Sequence, residues 1–304
     1  MKVGFFAVLG KPNAGKSTLV NALVGEKVSI VSWRPQTTRN KINGIATGSF
    51  RGQDYQVVLT DTPGIQHGTD RLSTYMTASV NAASKGSDGI LYVVDANKRL
   101  DEDELRQIAA YAANTPRMIV VVNKMDEAPR ERMVEALTAL NTLEGVEVVP
   151  VSAAGGDNLD ELMAVILDGL EEGEPFYPDD IATDSTLRFM AAEIVREKAL
   201  KFLQDEIPHG IGVEIVKYVS REDGVEEIHA DIICDKDNHK PIIIGKKGET
   251  LKRIATAARK EMEALADGPV YLKLWVKVRP GWRQSPDTLS LLGYDIKDIT
   301  EDDH

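Results

Sequence analysis

Apolar and polar positions divide the chain into two parts with different orders of predicted elements. In residues 1–172, apolar runs of strand length alternate with segments of helical periodicity. The runs lie at residues 5–9, 57–59, 90–94, 118–122 and 146–151, and the helical segments include residues 100–111, 130–140 and 159–170. Because strands that alternate with helices indicate βαβ units, we expect an α/β domain with a doubly wound, mostly parallel sheet.

The pattern changes after residues 173–182, an acidic segment with two prolines that is typical of a linker. Beyond the linker, the sequence predicts a helix over 185–203, strands over 211–219 and 226–234, and a last strand over 270–278. Helical segments flank a glycine turn between the second and third of these strands. The resulting α-β-β-α-α-β order predicts a smaller α+β domain over residues 183–284, followed by a tail over 285–304.

Composition narrows the possible partners. The single cysteine, Cys234, excludes an intrachain disulfide and suits a reducing cytosol. A net charge of −12 argues against a nucleic-acid partner, but the charge is unevenly distributed. Residues 236–260 carry eight basic and two acidic residues, whereas the last 20 residues carry one basic and six acidic residues. The basic segment keeps a nucleic-acid partner open, and we expect the acidic end, residues 295–303, to be disordered.

Residues 10–17 read G-K-P-N-A-G-K-S and follow the first apolar run, as in the phosphate-binding loop pattern G-x-x-x-x-G-K-S/T. Glycines at these positions let backbone N–H groups surround phosphate oxygens at a helix N-terminus. We expect Lys16 to reach the β- and γ-phosphates and the Ser17 hydroxyl to bind Mg²⁺. The predicted nucleotide contacts of this loop are Asn13, Ala14, Gly15, Lys16, Ser17 and Thr18.

Three further motifs, each following an apolar run, point to GTP rather than ATP. In D-T-P-G, Asp61 is placed to hold Mg²⁺ and the Gly64 N–H to meet the γ-phosphate. N-K-M-D resembles the guanine signature, in which a carboxylate, here Asp126, accepts two hydrogen bonds that adenine cannot donate. S-A-A resembles the loop that supports the base. The predicted base contacts are Asn123, Lys124, Asp126, Ser152, Ala153 and Ala154.

A threonine that senses the γ-phosphate is expected between the first two motifs. Residues 34–39 read R-P-Q-T-T-R, and we favour Thr38 as the Mg²⁺ ligand, with Thr37 as the alternative. Ile65 occupies the position where Ras-like GTPases carry a glutamine that orients water, and Gln66 is one residue out of register. Asn13 either helps to hold a potassium ion in place of an arginine finger, as in several GTPases with a hydrophobic residue there, or caps the loop structurally.

Residues 244–254 read I-G-K-K-G-E-T-L-K-R-I and resemble the I-G-x-x-G core of KH domains. Two glycines in such a turn let a sugar-phosphate backbone lie against the loop. The alternative is a glycine-rich turn with a solvated basic face. The element order and the local positive charge favour RNA binding. The expected RNA contacts are Ile244, Gly245, Lys246, Lys247, Gly248, Lys252 and Arg253.

Together these motifs resemble bacterial GTPases of the Era family over nearly the whole chain. The resemblance implies GTP hydrolysis with Mg²⁺, binding near the 3′ end of 16S rRNA, and a role in maturing the small ribosomal subunit. It also implies a cytoplasmic protein, with some peripheral contact at the inner face of the cell membrane, and we expect a monomer. The alternative is a nucleotide-gated assembly or membrane-associated regulator whose second domain binds protein. We expect Tyr271, Trp275 and Trp282 to lie in the core.

Overall fold

The fold is described from a computed structural model, which describes residues 1–34, 36–65, 68–204, 207 and 210–295. The first domain contains seven strands: β1 (Lys2–Leu9), β2 (Ile42–Phe50), β3 (Gln53–Asp61), β4 (Gly89–Asp95), β5 (Met118–Asn123), β6 (Val146–Pro150) and β7 (Glu171–Glu172). Its helices are α1 (Lys16–Val24), α2 (Arg71–Lys85), α3 (Glu102–Ala112), α4 (Arg130–Leu140) and α5 (Leu159–Asp168).

The strands form one sheet in the order β2-β3-β1-β4-β5-β6, with β7 paired to β1. All neighbours along that order are parallel except β2 and β3, and β7 is also antiparallel. Every residue of β4 and β5 is buried, as expected for parallel strands covered by helices on both faces. The predicted doubly wound, mostly parallel sheet is confirmed, and it brings the carboxyl ends of β1, β3, β4, β5 and β6 to one edge.

The sequence analysis missed β2 and α2. Strand β2 reads I-N-G-I-A-T-G-S-F, and its glycines and small polar residues hide the apolar alternation. It pairs with β3 along its whole length, from Ile42 opposite Asp61 to Phe50 opposite Gln53. Helix α2 was missed although its buried residues Leu72, Tyr75, Met76 and Val80 follow the helical period.

The predicted linker is fixed to the edge of this sheet. The buried Gln56 side chain accepts hydrogen bonds from the backbone N–H groups of Phe176 and Tyr177, at 2.7 and 2.9 Å. The Ala182 carbonyl accepts one from Ile45 of β2, at 2.8 Å. Hydrogen bonds to the sheet therefore restrain this acidic segment.

The second domain has the predicted order of elements. They are α6 (Leu187–Phe202), β8 (Ile211–Ser220), β9 (Glu226–Cys234), α7 (His239–Ile244), α8 (Glu249–Leu265) and β10 (Val270–Val278). The strand order is β10-β9-β8, with β9 parallel to β10 and antiparallel to β8. Helices α6 and α8 cover one face of this sheet and enclose a core that includes Ile194, Ile232 and Ile254.

The aromatic residues of this domain differ from expectation. Trp282 is fully buried, as predicted, but Tyr271 and Trp275 are 39% and 44% exposed, so the expectation of a core position was wrong for both. Strand β10 carries apolar or long side chains at nearly every position, and the sequence therefore did not show which of its two faces is buried.

The segment assigned to the tail begins with a helix, α9 (Pro286–Leu291). Leu289, Tyr294 and Trp282 form a buried cluster with Leu72 and Tyr75 of α2. The beginning of the tail is therefore packed against the first domain. Residues 296–304, which make up most of the acidic end, lie outside the described residues. Across the part of the chain that is described, we find no helix with the length and apolar character needed to cross a membrane.

Buried Arg196 of α6 connects the second domain to the loop between α1 and β2, residues 25–41, which we call the α1–β2 loop. The Arg196 guanidinium donates to the backbone carbonyls of Gln36 (3.3 Å) and Thr37. It also pairs with the buried carboxylate of Glu193, at 2.8 Å from Nε to Oε1. Burial of the guanidinium would lower its pKa, but Glu193 outweighs that effect and the pKa of Arg196 is raised. Arg196 therefore stays charged and holds the loop backbone on α6.

Two further contacts fix the same loop. The Arg39 guanidinium, fully buried, donates to the Ile211 carbonyl at 2.6 Å and lies 5.7 Å from the centre of the Trp282 ring. Glu197 accepts hydrogen bonds from Lys27 Nζ at 2.9 Å and from the Val31 backbone N–H at 3.1 Å. The loop is thus held by side chains of both domains.

Replacing Arg196 should destabilise the protein far more than replacing an exposed arginine. Arg196→Ala leaves the Glu193 carboxylate buried without its partner, which we expect to cost about 3–5 kcal/mol. Arg259→Ala is the matched control, since Arg259 forms an exposed pair with Glu263 within α8 and should cost less than about 0.5 kcal/mol. Urea denaturation followed by circular dichroism measures both, and equal losses of stability would contradict this role of Arg196.

Candidate functional site

The phosphate-binding loop between β1 and α1 needs glycine at two positions. Gly10 and Gly15 have φ angles of 137° and 97°, which side chains rarely tolerate. A Cβ atom at Gly15 would lie 2.1 Å from Asn123 Nδ2, and one at Gly10 would lie 2.2 Å from the Val93 carbonyl oxygen. The loop is therefore pressed against the ends of β4 and β5.

Lys16 begins α1 and is buried inside this loop. Its ammonium group donates to the carbonyl oxygens of Gly10 at 3.0 Å and Lys11 at 3.1 Å. Burial lowers the pKa of Lys16 to about 8, although the Asp61 carboxylate opposes the shift. Among the described residues, the Lys16 ammonium makes no direct carboxylate contact. Such a buried ammonium is suited to a polyanionic ligand, because phosphate oxygens would supply the missing negative charge.

Three oxygen atoms from separate elements meet beside Lys16. Ser17 Oγ donates to Asp61 Oδ2 at 2.6 Å and lies 2.9 Å from Thr38 Oγ1, which is 3.4 Å from the same carboxylate oxygen. Asp61 is fully buried, and this burial raises the pKa of its carboxyl. Hydroxyl and carboxylate oxygens are the ligand types that Mg²⁺ prefers, so the trio fits a magnesium site.

Of the two candidate threonines, only Thr38 belongs to this trio. Thr37 Oγ1 instead donates to the Arg34 carbonyl at 2.6 Å. Pro35, in the same predicted segment, lies outside the described residues, as does Gln66. Gly64 lies against the phosphate loop, since a Cβ there would be 2.8 Å from Pro12 Cα, and the Ile65 N–H donates to the Gly10 carbonyl at 3.1 Å.

Asn123 ties the motifs of the nucleotide site to one another. Its amide donates to the Ala14 carbonyl at 2.9 Å and accepts from the Ala153 N–H at 3.0 Å. It thereby joins the phosphate loop, β5 and the loop after β6. Ser152 is buried and accepts a hydrogen bond from the Gly155 N–H at 2.9 Å. This hydrogen bond stabilises the loop after β6.

Lys124 extends over the phosphate loop, and sequence reasoning missed what holds it there. Lys124 Nζ donates to the Asn13 carbonyl at 2.9 Å and to Asp95 Oδ2 at 2.7 Å. Asp95 is the last residue of β4, at the same sheet edge as the other motifs. Asp95 directly follows a buried apolar run in the sequence. That position could have identified it as a site residue, because ligands bind at that edge of doubly wound sheets.

A cavity of about 490 Å³ opens at this edge. Its lining includes the phosphate loop, Thr18, Thr38, Gly64 and Lys124, together with Trp33 of the α1–β2 loop, which the sequence analysis did not select. Asp126 and Ala154 are exposed and are not part of this lining. The structure therefore gathers most of the predicted phosphate contacts, with Ser17 and Thr38, around one cavity. Asp61 is not part of the lining but contacts Ser17 at 2.6 Å, and most of the predicted base contacts lie on the adjoining loops.

The glycine turn of the second domain has the backbone conformation that its sequence suggested. Gly245, Lys247 and Gly248 have φ angles of 78°, 52° and 81°. A Cβ at Gly245 would lie 2.2 Å from Thr250 Oγ1, whereas one at Gly248 would meet nothing within 4 Å. Gly245 is thus required by the packing of the turn, while Gly248 leaves open space beside it.

The basic residues around this turn are accessible. Lys246, Lys247, Lys252 and Arg253 are all exposed, and Ile244 is half-buried next to them. The Arg253 guanidinium lies 4.7 Å from the centre of the Phe202 ring. Ile242, 51% exposed, adds an apolar surface beside the turn. This surface combines positive charge, close backbone access and apolar contacts, the features that bind single-stranded RNA.

Comparison with known proteins agrees with both sites. Residues 5–124 match the family model described as 50S ribosome-binding GTPase, and residues 206–283 match the model for the KH domain. GTPase Era of Clostridium botulinum strain Hall is 43% identical over 96% of this chain and 98% of its own length. GTPase Era of Clostridium acetobutylicum is 43% identical over the same shares.

Two solved structures are similar over nearly the whole chain. One is a variant of Aquifex aeolicus Era bound to GDP·AlF4⁻, with a TM-score of 0.89 and 41% identity over 97% of this chain and 100% of that one. The other is Era in complex with MgGDPNP and nucleotides 1506–1542 of 16S ribosomal RNA, with a TM-score of 0.91 and 41% identity over 97% and 99%. With both domains matched in one order and over the full length, this chain belongs to the Era family of GTPases.

Proposed function

We propose that this protein is a GTP-hydrolysing switch that binds the 3′ region of 16S rRNA through its KH domain and assists maturation of the small ribosomal subunit. The GTPase part of this proposal rests on one observation. The oxygens of Ser17, Thr38 and Asp61 lie together beside buried Lys16. The RNA half rests on the exposed basic turn and on the relative solved with an rRNA fragment.

In the proposed mechanism, the chain positions GTP and stabilises charge that develops on the transferred phosphoryl group. Lys16 neutralises the β- and γ-phosphate oxygens, and the Gly64 N–H donates to the γ-phosphate. Ser17, Thr38 and Asp61 would hold Mg²⁺, which would supply positive charge to stabilise the phosphate oxygens. Thr38 belongs to the α1–β2 loop, so loss of the γ-phosphate changes the contacts of a segment that also touches the KH domain.

Guanine specificity is assigned to the loop after β5. Asp126 accepts hydrogen bonds from guanine N1–H and the 2-amino group, and adenine leaves that carboxylate unpaired. Lys124 lies along one side of the base, Asn123 fixes the loop, and Ser152, Ala153 and Ala154 support the base from the loop after β6. Asp95 positions Lys124 through their 2.7 Å ion pair.

We propose a potassium site beside Asn13. In the structure the Asn13 side-chain amide nitrogen donates to the Trp33 carbonyl at 2.9 Å, which corresponds to the structural alternative. Turning the amide over would place its oxygen beside the Trp33 carbonyl oxygen at the cavity. Oxygen donors suit a hard cation. Potassium held there would supply the positive charge that an arginine finger gives in other GTPases. Ile65 has no polar group with which to orient water.

We propose that the protein acts in the cytoplasm, in keeping with its rRNA partner. We assign the rRNA backbone to the glycine turn, where Lys246 and Lys247 meet phosphates, and to Lys252 and Arg253 on α8. In this proposal, residues 1–172 bind the nucleotide, residues 173–182 link the domains, and residues 183–284 bind RNA. Peripheral contact with the inner face of the membrane and a monomeric state stay predictions from the family resemblance.

Base choice is tested at Asp126. Asp126→Asn should weaken GTP binding by about 1.5–3 kcal/mol and favour xanthosine triphosphate, whose 2-oxo group accepts from an amide. Asp160→Asn, which changes a carboxylate at the start of α5, is the control and should leave both affinities unchanged. Fluorescent nucleotide competition measures them. If Asp126→Asn retains wild-type GTP affinity, the guanine assignment is wrong.

The potassium proposal is tested by comparing GTP hydrolysis in potassium and sodium buffers of equal ionic strength. The wild type should hydrolyse GTP faster in potassium. Asn13→Gly should lose this difference, because glycine keeps the left-handed φ of 64° while removing the amide oxygen. Equal wild-type rates in the two buffers would leave Asn13 with a structural role only.

RNA binding is tested with the double variant Lys246→Asp, Lys247→Asp. Affinity for the 3′ fragment of 16S rRNA should fall steeply, and the salt dependence of the remaining binding should flatten, because fewer phosphates are neutralised. Intrinsic GTP hydrolysis should not change. The control Arg130→Asp, Arg132→Asp introduces the same charge on α4 of the GTPase domain.

Filter binding across a salt series measures these affinities. Wild-type RNA binding by the folded lysine variant would remove the KH assignment and favour a second domain that binds protein. Gly245→Asp is a poorer test, since the contact of its Cβ with Thr250 would destabilise the turn for a reason unrelated to RNA.

A further inference from the structure

The sheet of the KH domain has a second face, and at its β10 edge none of the helices among the described residues covers that face. Residues 272, 274, 276 and 278 of β10 face the core under α6 and α8. The alternate residues Tyr271 and Trp275 point to the opposite side and remain 39% and 44% exposed. Trp282 and α2 cover the same side near Ile233, at the other end of β9. Two large aromatic rings are therefore left in solvent.

Basic side chains surround these rings. Lys273 lies between them in β10, with Nζ 5.7 Å from the centre of the Tyr271 ring and 6.0 Å from that of Trp275. His229 of β9 meets both rings edge-on, at 6.4 and 5.4 Å. Arg221 lies 5.0 Å from the centre of the Tyr271 ring. We call Tyr271, Lys273, Trp275 and His229 the aromatic face.

The carboxylates next to the aromatic face are already paired. Glu227 binds Lys217 and Arg221, each at 2.8 Å, and also contacts His229 Nε2 at 2.8 Å. Asp231 binds Lys277 at 2.5 Å. Within the described ranges, Lys273 has no carboxylate at ion-pair distance. The acidic groups are therefore neutralised locally, and the centre of the aromatic face keeps a positive charge although the whole protein is acidic.

We propose that the aromatic face is a second RNA-binding surface, which holds single-stranded RNA by stacking bases on Tyr271 and Trp275. The distances of 5.7 and 6.0 Å from Lys273 Nζ keep the two ring centres within about 12 Å of each other. The strand places their Cα atoms about 13 Å apart, much more than the spacing of stacked bases, so each ring takes a separate, splayed base. Lys273 lies between them, where the connecting phosphates pass. The glycine turn lies on the helical side of the sheet, so this surface extends the RNA path instead of repeating it.

The composition of the aromatic face favours RNA over a protein partner. Protein interfaces are enriched in aromatic residues but depleted of lysine at their centres, whereas single-strand binding surfaces combine aromatic rings with basic groups. The inference rests on the proposal above that RNA is the partner of this domain. It adds a site that the I-G-x-x-G motif does not include.

The test compares the double variant Tyr271→Val, Trp275→Val with the wild type, using the 3′ fragment of 16S rRNA and single-stranded oligoadenylate as probes. Valine keeps the strand propensity and removes the rings. We expect affinity to fall about tenfold for each ring removed, with no change in salt dependence, because stacking releases no counterions. Phe176→Val is the control, as Phe176 is 48% exposed in the linker.

A second readout reports the contact directly. The chain has three tryptophans, of which Trp282 is buried and Trp33 is 71% exposed. In Trp33→Phe protein, emission therefore comes from Trp275 and Trp282, and stacking on Trp275 should quench the exposed component when oligoadenylate is added. The same titration with Trp275→Val added should show no such quenching.

The two RNA proposals fail in different ways. If the aromatic variant loses affinity while Lys246→Asp, Lys247→Asp does not, the glycine-turn assignment fails and the aromatic face stands. Equal affinities of the aromatic variant and the wild type, with unquenched Trp275, would overturn the present proposal. Loss of a protein contact in that variant, with RNA binding intact, would also overturn it and assign the surface to protein.

Discussion

The hydrogen bonds from the Arg196 guanidinium to the carbonyls of residues 36 and 37 are the interaction on which the arrangement of the molecule depends. They place Thr38, the next residue, opposite Ser17 and Asp61. Glu193 keeps the guanidinium charged in a buried position, and Arg39 fixes the end of the same loop against Ile211. Contacts from the second domain therefore help to set the geometry of the predicted magnesium site in the first.

The sheet of the first domain positions the other residues of the predicted nucleotide site. Parallel strands end at one edge, so residues far apart in sequence come together there: Asp61 at the end of β3, Asp95 at the end of β4 and Asn123 at the end of β5. Asn123 contacts both Ala14 and Ala153, which makes the base-recognition loops depend on the phosphate loop. This dependence explains why the glycine at position 15 is needed, since any side chain would displace the Asn123 amide.

Much of this could be predicted from the sequence, because each nucleotide motif directly follows a buried run and the sheet topology then fixes its place. The predicted order of the KH domain was confirmed for the same reason. Small residues concealed β2, and Asp95 belongs to no spaced motif. The alternation in β10 did not reveal which face was buried, so Tyr271 and Trp275 were misplaced. Contacts such as Arg196 with Gln36 join residues distant in sequence, and no local pattern encodes them.

The α1–β2 loop contacts both domains at once. This contact has a consequence for the affinities of the protein for nucleotide and for RNA. Free-energy coupling between two binding sites is reciprocal. If the nucleotide changes RNA affinity through this loop by some factor, RNA must change the affinity for that nucleotide by the same factor. Typical couplings of about 1–3 kcal/mol correspond to roughly 5–150-fold. An rRNA segment that prefers the GTP-bound form would then also retain GTP on the protein, and so act as an effector of nucleotide exchange as well as a target.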